Sequence, residues 1–388
     1  MKIGLWRIAA ALGLTTIGIA LLVLLVNSNN AGQRDFIEYW AAGQQLIHGA
    51  NPYDGAVILQ LERSAGFTQE HPQITYSPPM ALFLFLPLGL VSANTGLVLW
   101  FLAMLASLAA SVRMLWKLNG CPANSLHLLS YCFAPVMACI MAGQLGIFLL
   151  FCVVFFLYFY KLRPFLAGAV LLICTLKPHL FLPFAIALLL WILGHKAYRI
   201  LAGFFATLLI GCALLLYLDS HIWREYQRMM HATSVLHVWI PTLSVLFRTL
   251  INANAIWLEF LPEAGACVWV VWFYWTRKSS WDWMDQGLLV LLISAVCTPY
   301  GWFTDEAMLI PAVLAGIYRA DKSGRSLLPF GFIAGVAMLE VFAKLSVSSI
   351  YFLWTTPAWL GWYLYATRDG RERLDTSRNK ASAIVESV

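Results

Sequence analysis

The sequence predicts an all-α, polytopic membrane protein: a bundle of about twelve transmembrane helices, with interfacial helices in the first outer loop. Three observations carry the membrane prediction. Of 388 residues, 61% are hydrophobic and 11% charged, with a mean hydropathy of +0.75; a soluble globular chain carries about twice that charge. Apolar runs of near-bilayer length recur from Leu5 to Thr367. Basic residues collect in short connections and in the tail holding Arg368, Arg371, Arg373, Arg378 and Lys380, as the positive-inside rule expects of cytoplasmic segments. That placement accounts for the net charge of +6 without nucleic acid.

Leu5–Asn27 follows Lys2 and Arg7, is long enough to span, and lacks a small-residue cleavage site. It reads as an anchor helix rather than a removed signal. With the amino terminus cytoplasmic, 28–94 is an outer loop, and Thr95–Trp116 returns to leave Arg113 and Lys117 inside. Ser125–Met141 and Leu145–Tyr160 form the next pair. Phe165–Leu176 and Leu180–Leu193 are short and gain length through the Lys177-Pro178-His179 corner. Ile200–Leu218 leads to an outer stretch ending at Leu261. Gly265–Trp275, Gly287–Thr298, Ala307–Tyr318, Leu327–Ala343 and Tyr351–Ala366 complete the bundle. Pro78–Val91 is short and broken by Pro87; as a span it would put Arg113 and Lys117 outside, so it is expected to be re-entrant or interfacial. The chain is thus one integral membrane domain over 1–366 and a basic cytoplasmic tail over 367–388. A chain of this length without a eukaryotic targeting signal points to the cytoplasmic membrane of a bacterium. The eight cysteines lie mostly within apolar runs without a C-x-x-C pair, reading as small buried hydrophobes.

Within the outer loop, Phe36, Trp40, Gly43 and Ile47 recur at helical spacing opposite Arg34, Glu38, Gln45 and His48. That is the pattern of a helix lying in the membrane interface. Gly49 stops it and Asn51-Pro52 turns the chain. The topology also sorts the unusual polar motifs onto the outer face. They include Arg34-Asp35, Tyr76-Ser77-Pro78-Pro79, Gly143-Gln144, Lys177-Pro178-His179, the Arg224, His231 and His237 group, Pro241 to Arg248, and Thr298 to Asp305. A water-filled pore needs polar groups at many depths, whereas these share one level. An outward-facing active site at the membrane surface is expected.

The run from Asp35-Phe36 through Tyr39-Trp40-Ala41-Ala42 to Gly49 and Pro52-Tyr53-Asp54 resembles glycosyltransferase family 87, polytopic enzymes of the GT-C superfamily. Tyr76-Ser77-Pro78-Pro79, Gly143-Gln144, Leu176-Lys177-Pro178 and Thr298-Pro299 with Asp305 are similar in type and order, so the likeness extends over most of the chain. It implies a sugar donor on a polyprenyl phosphate, mannose or another hexose or pentose, and inversion at the anomeric carbon. It also implies an acidic catalytic base in the first outer loop, which maps onto Asp35. The chain departs from the family in carrying Tyr300 where many members have a histidine after the late proline.

Each candidate also has a plainer reading. A carboxylate at Asp35 can take the acceptor hydroxyl's proton as positive charge develops at the anomeric carbon, or it can cap the helix it opens. Lys177 and His179, in an otherwise apolar stretch, suit a departing lipid phosphate; the plainer account is a lysine snorkelling between two helices. Arg248 is a further phosphate candidate, while Arg224 and His231 suit lipid headgroups. Tyr39, Trp40, Gln144, Tyr300 and Asp305 are candidate substrate-binding residues, with helix capping the alternative for Asp305 and Glu306. Glu38, nearly one turn on from Asp35, is a candidate second acid whose plainer and preferred reading is a carboxylate on a solvated face, and Asp54 reads as a turn residue. The outer acids form no D-x-D pair and the histidines no H-x-x-x-H, so no metal is expected. No Gly-rich phosphate loop is present to hold a nucleotide sugar, and no cofactor is expected. The expected partners are a polyprenyl-phosphate sugar, a glycolipid or envelope-glycan acceptor and membrane lipids. The competing class is a transporter or glycolipid flippase, which calls for paired, interrupted helices with polar groups near mid-membrane.

Overall fold

A computed structural model describes residues 28–232, 240–345 and 349–368, and every regular element among them is helical. The expected anchor Leu5–Asn27, His237 and nearly all of the basic tail lie outside the described residues. In chain order the α-helices of at least 7 residues are α1 (Phe36–Ile47), α2 (Gly55–Ser64), α3 (Ala93–Leu118), α4 (Ala134–Ala142) and α5 (Gly146–Phe159). They continue with α6 (Pro164–Val170), α7 (Leu182–His195), α8 (Tyr198–Leu218), α9 (Ile222–Ala232) and α10 (Leu243–Asn252). The last are α11 (Leu261–Arg277), α12 (Leu288–Cys297), α13 (Ile310–Lys322), α14 (Leu328–Phe342) and a helix over 355–368.

Among the described residues, four helical stretches are long and apolar enough to cross a membrane: Ala93–Leu118, Pro178–His195, Tyr198–Leu218 and Ile256–Ser280. At 26 residues, α3 is roughly 39 Å long and exceeds a bilayer's hydrocarbon core. Shorter apolar helices fill in around them, among them Gly146–Phe159, Trp283–Cys297 and Leu328–Phe342. The protein is therefore a helical membrane protein.

Several predicted runs prove to be broken. Ser125–Met141 is a 3-10 stretch, Leu126–Cys132, followed by the nine-residue α4, with the chain extended at its N-cap Phe133 and Pro135 in the first turn. Between α6 and α7 the backbone tightens to 3-10 helix over Leu171–Leu176 and opens at Lys177 (φ −137°, ψ 71°), because Pro178 disfavours helical geometry before it. Pro79–Gly89 is likewise a broken helix, interrupted by 3-10 geometry at Phe83–Phe85.

Helix α1 differs from expectation in its surroundings. Expected to lie in the membrane interface with one polar side, it instead buries nine of its twelve residues, Gln45 included. Aromatic packing holds it: Tyr39 stacks on Trp100 of α3 with centroids 5.4 Å apart, and Phe36 and Phe85 contact the same indole at 5.8 and 6.3 Å. Such ring pairs contribute about 0.5–1.5 kcal/mol each beyond their burial. The following Asn51-Pro52-Tyr53-Asp54 turn is tied down too. Asp54 caps α2 through Ala56 and Val57 N–H groups at 3.0 and 3.3 Å, and the Tyr53 hydroxyl donates to the Ser77 carbonyl at 2.9 Å.

Candidate active site

Asp35 stands at the N-cap position of α1, yet its carboxylate makes no capping bond. Its Oδ2 instead accepts from Gln144 Nε2 at 2.7 Å, and Gln144 Oε1 accepts from the Tyr39 hydroxyl at 2.8 Å. The amide thereby bridges two residues of α1 to the α4–α5 junction. Gln144 is set by its own neighbours: Gly143 ends α4 in the left-handed region (φ 74°), and its carbonyl accepts from Trp100 Nε1 at 2.8 Å. The Cys139 thiol donates to the Gln144 carbonyl at 3.2 Å. Arg34 turns away to donate to the Met141 carbonyl at the end of α4, bracing the same junction.

The second half of the site comes from distant chain. Lys177 Nζ contacts both carboxylate oxygens of Asp305 at 2.7 and 3.0 Å, with the two side chains 11% and 3% exposed. Asp305 Oδ2 also accepts the Trp302 backbone N–H at 3.1 Å, so it caps the helical turn it opens while neutralising Lys177. Trp302 Nε1 donates to the Tyr300 hydroxyl at 2.8 Å, and the Tyr300 ring meets His179 edge-on at 5.3 Å. His179 Nε2 is buried with no hydrogen-bond partner among the described residues.

A cavity of about 970 Å³ is lined by Asp35, Glu38, Tyr39 and Gln144 together with Lys177, His179 and Tyr300. That is the upper end of the usual range for ligand pockets. Burial raises the Asp35 carboxyl above the ordinary carboxylate value; the Gln144 hydrogen bond and the Lys177 charge hold the shift back. Burial acts more strongly on Glu38, pushing it up to about 8 against the Tyr39 hydrogen bond and the Lys177 charge. Among the described residues, no three His, Cys, Asp or Glu side chains gather into a metal-binding group.

Two candidates are not brought here. Trp40 is buried beside the site but points its indole N–H to the Val91 carbonyl at 3.0 Å, and so anchors α1 rather than lining the cavity. Arg248 lies off the cavity, within 3.0 Å of Glu259 and nearly fully buried, where each charge compensates the other. Glu38 moves the other way: the solvated face proposed for it is a cavity wall. Its signal was present in the sequence, since positions three apart share a helix face and Asp35 was already placed. Tyr76, which the sequence offers only as part of the Tyr76-Ser77-Pro78-Pro79 motif, and Tyr226, which no motif singles out, also line the cavity.

The sequence matches glycosyltransferase family 87 over residues 75–299. The chain belongs to this family. As a family 87 member it is a membrane glycosyltransferase, an enzyme that needs a sugar donor and an acceptor. The matched region contains Gln144, Lys177 and His179 from the cavity, while Asp35 precedes it and Asp305 follows it. No curated protein matches the chain, and no solved structure does.

Proposed function

We propose that the cavity transfers a sugar from a polyprenyl-phosphate donor to a lipid-linked or envelope-glycan acceptor, with inversion, at the outer face of a bacterial cytoplasmic membrane. The enzyme would be a GT-C bundle of about twelve spans, the cavity opening outward. The observation that carries this reading is the Asp35 carboxyl, which forgoes the helix cap it is placed to make and lines the same cavity as Lys177, whose charge it feels.

The acceptor oxygen attacks the anomeric carbon from the face opposite the phosphate. Asp35 takes the acceptor's proton as the new C–O bond forms. The bond from the anomeric carbon to the phosphate oxygen breaks with its electron pair on that oxygen, turning a phosphodiester monoanion into a phosphomonoester dianion. Lys177 stabilises the added charge, and the orphaned His179 Nε2 is the second group in reach of such a ligand. Until donor arrives, Asp305 occupies Lys177, which keeps a buried cation compensated. Gln144 aims the base through its amide, and Tyr39 and Tyr300 bound the sugar-binding space.

Asp35→Asn keeps the shape and removes the base. Membranes carrying this variant at wild-type level are expected to lose transfer by at least about a hundredfold, read by mass spectrometry of envelope glycolipids from a gene-deleted host complemented with each form. Restoration of the one-sugar product by Asp35→Asn would remove the role assigned to this carboxylate.

A further inference from the structure

We propose that Glu38 reads the acceptor. It binds the hydroxyl adjacent to the one Asp35 deprotonates, so the acceptor is a sugar ring bearing neighbouring hydroxyls rather than a simple alcohol or a phosphate headgroup. The inference rests on the glycosyl transfer proposed above and adds the acceptor's class.

Geometry supplies the first support. Glu38 follows Asp35 by three residues at the start of α1, and both line the same cavity. Side chains at that spacing stand about 5–6 Å apart at Cβ on one helix face, a separation that two adjacent ring hydroxyls can bridge. The irregular segment 67–78 and helix α9 add Tyr76 and Tyr226 to the cavity lining, aromatic side chains of the kind that pack against a sugar's C–H surface. That wall is pinned from behind: both Glu62 carboxylate oxygens accept the Gln73 backbone N–H, at 3.1 and 3.2 Å.

Charge narrows the ligand further. The groups whose fields reach Glu38 are Asp35 and Tyr39 on its own helix, Glu62 on α2, and Lys177; Tyr300 feels it from the 298–305 loop. The cation among them, Lys177, is paired with Asp305 in the resting site and taken up by the donor phosphate during transfer, so it is not free for the acceptor. An anionic acceptor would therefore meet repulsion at this end of the cavity, whereas an uncharged polyol would not. Burial also leaves Glu38 protonated at neutral pH. A carboxylic acid both donates to and accepts from hydroxyls, and it leaves the base role to Asp35.

The test uses the full chain in lipid nanodiscs, a panel of polyprenyl-phosphate monosaccharides as donors, and n-octyl glycosides as acceptors. Each acceptor is paired with a deoxy analogue lacking the ring hydroxyl next to the reactive one. Glu38→Ala is expected to raise acceptor KM about tenfold with kcat changed less than about threefold, and Glu38→Gln, which keeps a donor and an acceptor atom, to recover most of that loss. The deoxy analogue should raise KM about tenfold for the wild type and add nothing further in Glu38→Ala. An unchanged KM in Glu38→Ala, or a deoxy penalty that persists undiminished there, overturns the inference while leaving glycosyl transfer intact. Absence of transfer by the wild type across the whole panel overturns the transfer reading, and this inference with it.

Discussion

Asp35 acts as a base only if its carboxyl is both aimed and ionised, and different neighbours handle the two tasks. Gln144 aims it, through a 2.7 Å bond that also engages Tyr39 by way of the amide oxygen. Burial sets its proton affinity above the usual carboxylate value, which improves it as a base, while Lys177 and Gln144 keep the ionised form accessible. The sign of the pH dependence follows. The reactive form is deprotonated, so kcat/KM should fall as pH drops through the Asp35 pKa. That acid limb should lie above the ~3.9 of an unperturbed aspartate. Gln144→Ala removes the bond that favours the ionised form and should move the limb to still higher pH. A pH–rate profile of both forms checks this; a limb at or below the unperturbed value, or one that Gln144→Ala leaves in place, contradicts the account.

At the scale of elements, the site depends on how two helix ends meet. The α4–α5 junction places Gln144 beside α1 because Gly143 turns in the left-handed region, with Phe36 packed directly over it. A Cβ added at Gly143 would sit 2.9 Å from the Phe36 Cβ and would be held at φ 74°. Gly143→Ala should therefore cost about 1–2 kcal/mol of stability from the backbone alone. It should also push Gln144 off Asp35, so activity falls further than the lowered melting temperature explains. Comparing Tm and kcat of Gly143→Ala and Gly143→Asn tests the division, since asparagine tolerates this backbone region better but keeps the Cβ. If Gly143→Asn recovers activity fully, crowding against Phe36 is not the cause. The Gly143-Gln144 pair was legible in the sequence as a helix break with an amide. Its partner was not, because hydrophobic period says where a chain is helical and not which distant side chain faces the break.

Across the whole molecule, the same limit explains what the sequence reading found and missed. Long runs such as Thr95–Trp116 and Ile200–Leu218 fall inside observed helices, since apolar length alone predicts them. Arg248 and Trp40 find their partners, Glu259 and the Val91 carbonyl, through packing that periodicity does not encode. The Lys177 corner was legible from Pro178, but its pairing with Asp305 depends on the bundle bringing remote chain together. That assembly has a tight point in α6, the helix leading into the corner. A Cβ on Gly168 would lie 1.9 Å from the Ile200 carbonyl oxygen, and one on Gly203 of α8 would lie 1.9 Å from the Phe165 carbonyl oxygen. Small residues let the two backbones touch, which is how helices associate where lipid offers no hydrophobic drive. Gly203→Val must push α6 outward, at a cost of about 1–3 kcal/mol, and shift the chain that carries Lys177. The expected outcome is a lower Tm in detergent together with weaker donor binding. Gly335→Val in α14, where a Cβ meets nothing within 4 Å, makes the same helix-propensity change in open space and should leave both nearly unaltered. Equal effects from the two substitutions would show that α6–α8 contact does not position the corner.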